Sequence, residues 1–91
     1  MEIIVSKRFR KQARILVQNR KNLKERLNRA IQELSEKGKK AGCYCKALKG
    51  NWYGYDELQL GGDLRIIARF HQSSERVILE SIGTHSQLGF S

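Results

Sequence analysis

A set of side chains in the second half of the chain has the types and spacing to act on a phosphodiester. It comprises Lys46, Lys49, Trp52, Tyr53, Tyr55, Arg65, Arg69 and His85, with Glu57, Asp63 and Glu80 close in sequence. RNA supplies its own nucleophile, the 2′-hydroxyl, so cleavage without a metal asks three things of a protein. A base removes the 2′ proton, cations stabilise the phosphorane-like charge, and an acid protonates the departing 5′ oxygen. Histidine is the side chain whose unperturbed titration falls near neutrality, which singles out His85. Lys46 or Lys49 serves as a base only where neighbouring cations favour its neutral form. Arg65 and Arg69 are suited to gripping the phosphate, and Tyr53 or Tyr55 to stacking on a base.

Each residue also has a purely structural use. Arg65 and Arg69 are equally suited to pairing with Glu57 and Glu80, and Lys46 and Lys49 to protecting a sheet edge from aggregation. Trp52 suits a core anchor better than a base-stacking role. No Ser-His-Asp arrangement, P-loop, dinucleotide fingerprint or HExxH zinc motif occurs.

The stretch Leu48 to Phe70, LKGNWYGYDELQLGGDLRIIARF, must position most of these groups. Its alternation of apolar and polar residues is that of strands, whose side chains point to opposite faces in turn. Leu64, Ile66, Ala68 and Phe70 share one face, and Arg65, Ile67, Arg69 and His71 the other. A loop of Gly61, Gly62 and Asp63 sets Leu60 opposite Leu64, Leu58 opposite Ile66, Gln59 opposite Arg65, Glu57 opposite Ile67 and Tyr55 opposite Arg69. A tighter Gly-Gly turn mismatches the faces, because a slip of one residue inverts a strand. The expected product is a hairpin with an apolar face and a polar one.

Around it, Glu2 to Val5 reads as a strand, and Ser6 suits the N-cap of a helix starting at Lys7. Phe9, Ala13, Leu16 and Val17 form that helix's apolar stripe, with Lys7, Arg10, Lys11 and Arg14 on its other face. After the polar break Asn19 to Asn22, Asn22 is the expected cap of a second helix, with Glu25 completing a capping box. Leu23, Leu27, Ala30, Ile31 and Leu34 make its stripe and Gly38 its stop. Further strands are expected at Cys43 to Leu48, Tyr53 to Leu60, Leu64 to Phe70 and Arg76 to Ile82. The fold class is therefore α+β, a small two-layer domain of order β-α-α-β-β-β(-β). Two antiparallel helices pack on one face of an antiparallel sheet. The other face stays partly open for a ligand. Residues 1–91 read as a single domain.

Lys and Arg number 18 against 9 acidic residues, for a net charge of +9. So much like charge in a short chain opposes compaction and points to an anionic partner, nucleic acid first and an acidic protein second. No apolar run approaches the length of a membrane span, and the N-terminus lacks a secretory pattern. A cytoplasmic protein with no membrane association is expected. Cys43 and Cys45 on a strand share a face about 6.5–7 Å apart, at the outer limit of disulfide geometry. They read as buried free thiols. The C-x-C spacing is not that of a zinc site, and neither a metal nor another cofactor is expected.

The segments LKGNWYGYDEL, GGDLRIIARF and ESIGTHSQL, in this order and spacing, resemble the RelE/ParE superfamily of type II toxins, most closely its YafQ-like branch. The resemblance covers about Cys45 to Phe90. It implies a toxin that cleaves mRNA, usually on the ribosome. It also implies a cognate acidic antitoxin that wraps the toxin in a hetero-oligomer. Matched by position, His85 is the catalytic histidine of the GTHS segment, Asp63 the aspartate of the central loop, Arg65 the phosphate-contacting strand arginine of the RelE branch, and Lys49 the basic residue of the LxG segment. With Lys46 these make the expected catalytic set, and Arg69, Tyr53, Tyr55, Gln59 and Phe90 the RNA-binding one. The chain departs from the branch at two histidines, where it has Lys46 and Gln59, and Gly89 intervenes before Phe90. A ParE-like DNA gyrase inhibitor without nuclease activity, or a catalytically weakened toxin homologue, is the alternative.

Overall fold

The computed structural model describes residues 1–88, so Phe90 lies outside the described residues. The described elements are β1 (Glu2–Val5), α1 (Lys7–Leu16), α2 (Lys21–Lys37), β2 (Tyr44–Ala47), β3 (Asp56–Gly61), β4 (Leu64–His71) and β5 (Arg76–Thr84), with 3-10 turns at Gly38–Lys40, Gly50–Trp52 and Gln72–Ser74. The strands form one five-stranded sheet in the order β1-β5-β4-β3-β2.

The α+β class and the helix layer are as expected, but the sheet is mixed. β1 runs parallel to β5, with Glu2 opposite Arg76 and Val5 opposite Leu79. The antiparallel rule applies to strands joined by short connections, as β2 to β5 are. β1 leads instead into α1 and meets its partner from the far end of the chain.

Ser6 caps α1 as expected: its Oγ accepts from the Phe9 N–H at 3.0 Å and donates to the Glu80 carbonyl at 2.7 Å. The cap thereby also fastens the helix to β5. α2 differs in its start. Asn19 takes a left-handed conformation (φ 59°), the turn completes early, and the helix begins at Lys21 with Arg20 as an N-cap that makes no side-chain bond. Asn22 falls inside the first turn and is not the cap. Gly38 ends α2, its N–H donating to the Leu34 carbonyl.

Phe9, Leu27, Ala30 and Leu34 from the helices meet Leu58, Leu60, Ile66, Ala68, Val77, Leu79 and Ile82 from the sheet in one apolar cluster. Truncating a side chain as enclosed as Leu34, which is 0% exposed, to alanine costs about 2–5 kcal/mol.

In the hairpin, Leu58 faces Ile66, Glu57 faces Ile67 and Gln59 faces Arg65, as the alternation requires. Its end is tighter than expected. Gly61 rather than Leu60 pairs with Leu64, and the extra residue is absorbed as a bulge between Gln59 and Gly61. Gly61 (φ 112°) and Gly62 (φ 56°) both occupy backbone conformations that residues with a Cβ avoid, which lets a short loop close without turning Leu60 out of the core.

Candidate functional site

The face of the sheet away from the helices carries the polar residues. Ladder pairing sets Lys46 of β2 opposite Glu57 of β3, Glu57 opposite Ile67 of β4, and Ile67 opposite Ser81 of β5. One pleat along, Gln59 lies opposite Arg65 and Arg65 opposite Gly83. This face is less open than expected, since Glu57, Ile67 and Ser81 are all buried.

Arg65 is the fixed point. Its Nε donates to Glu57 Oε2 at 2.8 Å, and its Nη1 donates to the Gly62 and Leu64 carbonyls at 3.0 and 3.1 Å. The Glu57 side chain is only 4% exposed and that of Arg65 18%. The pair thus sits in a poorly screened environment, where charge and geometry both count. Sequence reasoning left Glu57 out of the site. The signal was present, because its parity places it on the same face as Arg65 and Lys46.

His85 and Asp63 meet at the hairpin end of this face. The His85 N–H donates to the Asp63 carbonyl at 3.0 Å, beyond the pairing of Leu64 with Thr84. His85 is half-buried and Asp63 exposed. After Thr84 the chain turns back: Gln87 Oε1 accepts from the Thr84 N–H at 2.8 Å, Thr84 Oγ1 accepts from the Gln87 N–H at 3.1 Å, and the Leu88 N–H reaches the Thr84 carbonyl. Leu88 is buried, and a Cβ on Gly83 would come within 3.0 Å of Gln87 Oε1 and 3.6 Å of Leu88 Cδ2. Gly83 is therefore what lets the tail close over the sheet.

At the other end, about 20 Å away along β3, Arg69 Nε lies 4.0 Å from Glu80 Oε2, and its guanidinium stands 5.5 Å from the Tyr55 ring centroid. Trp52 meets Tyr55 edge-on at 5.7 Å. Trp52 is half-buried and outside the core cluster, so it anchors this end of the polar face and not the core. Tyr53 and Lys49 are exposed in the same loop. The fold thus gathers Arg65, Gln59 and Lys46 at mid-sheet around Glu57, and His85 and Asp63 beside them. Lys49, Tyr53, Tyr55 and Arg69 lie toward the opposite end.

On the helix side, Tyr44 donates its hydroxyl to buried Asp56 at 2.6 Å and meets Phe70 edge-on, while Lys39 Nζ lies 3.9 Å from Asp56 and 5.4 Å from the Phe70 ring centroid. Burial, and then the bond to Asp56, pushes the Tyr44 phenol up to about 12. Neither cysteine is in a disulfide. Cys43 is half-buried, and burial followed by the Glu33 carboxylate pushes its thiol up. Cys45 is exposed, contrary to expectation, because the register shift between Tyr44 and Lys46 leaves it at a bulge on the sheet edge. Among the described residues, no group of three or more His, Cys, Asp and Glu side chains is placed to hold a metal ion. A groove of about 860 Å³ runs between α2 and the β2 edge and shares only Gln59 with the expected site residues. No described helix is long and apolar enough to cross a membrane.

Comparison with known proteins adds to this geometry. The family model for the YafQ bacterial toxin of type II toxin-antitoxin systems matches residues 1–90. No curated protein sequence matches the chain. Among solved structures, a metal-bound toxin from Helicobacter pylori is 30% identical, with a TM-score of 0.79 over 97% of this chain and 98% of that one. YafQ from E. coli is 21% identical, with a TM-score of 0.77 over 97% of each chain. The toxin-antitoxin complex of YoeB and YefM from Staphylococcus aureus contains a chain 20% identical, with a TM-score of 0.74 over 93% of this chain and 97% of that one.

Proposed function

The chain belongs to the YafQ family of toxins of bacterial type II toxin-antitoxin systems, and we propose that it acts as a metal-independent endoribonuclease that cuts mRNA on the ribosome and is restrained by an acidic antitoxin. The observation that supports this reading is the backbone pairing that brings the segments bearing Arg65 and His85 together. Arg65 pairs with Gly83, two residues before His85, and the His85 N–H is bonded to Asp63, two residues before Arg65. A cation held by Glu57 and the backbone of His85 thus lie at the same end of neighbouring strands.

In the cleavage step, the neutral imidazole of His85 takes the proton from the 2′-hydroxyl. The 2′ oxygen forms a bond to phosphorus as the bond from phosphorus to the 5′ oxygen breaks, leaving a 2′,3′-cyclic phosphate and a 5′-hydroxyl. The guanidinium of Arg65 faces the charge that builds on the phosphoryl oxygens. Lys46, on the other side of Glu57, supplies the proton to the departing 5′ oxygen. Gln59, beside Arg65, donates to the phosphate or a base edge. Tyr55 and Arg69 bind the strand farther along, and Lys49 adds to the cationic field that attracts it.

Partners enter by the same reasoning. The E. coli relative is solved in a complex of DinJ with YafQ. A chain of net charge +9 favours an acidic partner whose association slows as salt rises. Producing the protein without an antitoxin tests the reading. Translation should stop and mRNA should carry new 5′-hydroxyl ends, and both effects should disappear in the His85→Ala, Arg65→Ala double variant. Growth arrest with intact mRNA and inhibited DNA supercoiling would instead identify a gyrase inhibitor.

A further inference from the structure

The loop from Leu48 to Tyr55 is closed on itself. The Leu48 N–H donates to the Tyr55 carbonyl, Trp52 to Lys49, Tyr53 to Gly50 and Tyr55 to Trp52, all at 2.9 to 3.2 Å. Its base is braced against the sheet by the contacts from Trp52 to Tyr55 and from Tyr55 to Arg69. From this fixed frame the Tyr53 side chain projects into solvent, 84% exposed. Only Ile15 on α1 is a comparably exposed large apolar side chain among the described residues.

A mobile tip would let such a ring fold back onto the surface, whereas a hydrogen-bonded loop holds it out. Exposed Lys49 lies four residues before it in the same loop. Of the acidic groups near this end of the sheet, Asp56 is buried against Tyr44, and Glu80 faces Arg69. An outward aromatic ring with an exposed lysine in the same loop fits a nucleobase and its phosphate, since every base has a π face and every nucleotide a charge.

We propose that this loop is a stacking site for an unpaired RNA base, with Tyr53 as the platform and the Trp52, Tyr55 and Arg69 series as its brace. This rests on the reading of the chain as an RNA-cutting toxin. The site stands toward the opposite end of β3 from His85, so it engages a base a few nucleotides from the cut and contributes sequence preference there.

Trp52 is the only tryptophan and adjoins Tyr53, so its emission reports on the loop. The test titrates the protein with a short 2′-O-methyl oligoadenylate, which lacks the nucleophile and is not consumed, and in parallel with polyphosphate and polyglutamate. The oligonucleotide should change Trp52 emission. Tyr53→Ala should weaken its binding about tenfold or more, Tyr53→Phe should restore it, and both variants should bind the two other polyanions as the wild type does. Absence of oligonucleotide binding by the wild type, equal affinity in Tyr53→Ala, or an equal loss toward polyphosphate would overturn the proposal. A loss confined to polyglutamate would also overturn it and mark a protein-docking ring instead. Incubation with ribosomes carrying a defined mRNA separates the two readings. Binding without cutting removes the nuclease and keeps the stacking site, and cutting with unchanged Tyr53→Ala affinity does the reverse.

Discussion

Arg65 Nε donates to Glu57 Oε2 at 2.8 Å, across neighbouring strands and at a position where the carboxylate is almost wholly out of water. Removing one partner of such a pair leaves the other charge buried and uncompensated. Glu57→Ala should therefore cost about 3 kcal/mol of stability in chemical denaturation. Glu57→Gln, which keeps an acceptor for Nε, should cost less. Equal losses in the two variants would show that the carboxylate's charge does not hold the arginine.

Arg65 and His85 have separate tasks in the proposed cleavage, so their variants should fail in separate ways. His85→Ala should lower the single-turnover rate about 10²–10⁴-fold, the usual contribution of a positioned proton-transfer group. Arg65→Ala should cost about 10²–10³-fold through lost charge stabilisation. Timed cleavage of a defined mRNA on ribosomes measures both. Rates within a few-fold of wild type would remove these residues from the chemistry.

Tyr44 makes stability sensitive to alkali. Its phenol is pushed up to about 12, first by burial and then by the bond to Asp56. The unfolded chain releases this proton near the ordinary value of about 10, so the contribution is complete below pH 10 and is lost as the pH rises from about 10 to 12. Tyr44→Phe should flatten that part of the stability curve. It should also lower stability at neutral pH by about 1–3 kcal/mol, because buried Asp56 loses its hydroxyl donor.

Gly83→Ala tests the closure of the tail. The added methyl meets Gln87 Oε1 at 3.0 Å, and that oxygen cannot retreat without releasing the Thr84 N–H. The expected result is a loss of about 1 kcal/mol and faster proteolysis after Thr84. An unchanged digestion pattern would show that the turn accommodates the methyl.

The thiols should also differ. Cys45 is exposed, whereas Cys43 is half-buried and its thiol is pushed up by burial and Glu33. A disulfide reagent near neutral pH should modify Cys45 first, leaving Cys43 for a slower phase. Simultaneous labelling would contradict the bulge.

Much of this was legible in the sequence, for identifiable reasons. The hairpin register from Glu57 to Gln59 follows from strict alternation, since any slip would bury Arg65 in the core. Ser6 was readable as a cap because it directly precedes an amphipathic run. Asn22 misled because Asn19, three residues earlier, supplies the left-handed turn instead. The parallel pairing of β1 was hidden because no local pattern links Glu2 to Arg76. Among the site residues, the shared face of Lys46, Gln59 and Arg65 could be counted out by parity. The closeness of His85 to Asp63 could not, because it depends on how far β5 runs past Ile82. The pairing of Arg65 with Glu57 was legible as the structural use of that arginine, but the depth at which Glu57 is buried was not, because it depends on the packing of the whole sheet face.

The parallel seam between β1 and β5 also bears on when the molecule acquires its form. The Ser6 N–H is bonded to the Leu79 carbonyl, and Ser6 Oγ to that of Glu80, so the first helix is anchored by residues from the far end of the chain. A loop of this span closes slowly, because its entropy is lost before the contacts it permits are gained. During synthesis the opening strand has no mate until Arg76 to Leu79 have emerged from the ribosome. An interrupted product ending before that point has no seam to close. The β1 edge of the sheet therefore forms only once Arg76 to Leu79 are available to pair with it.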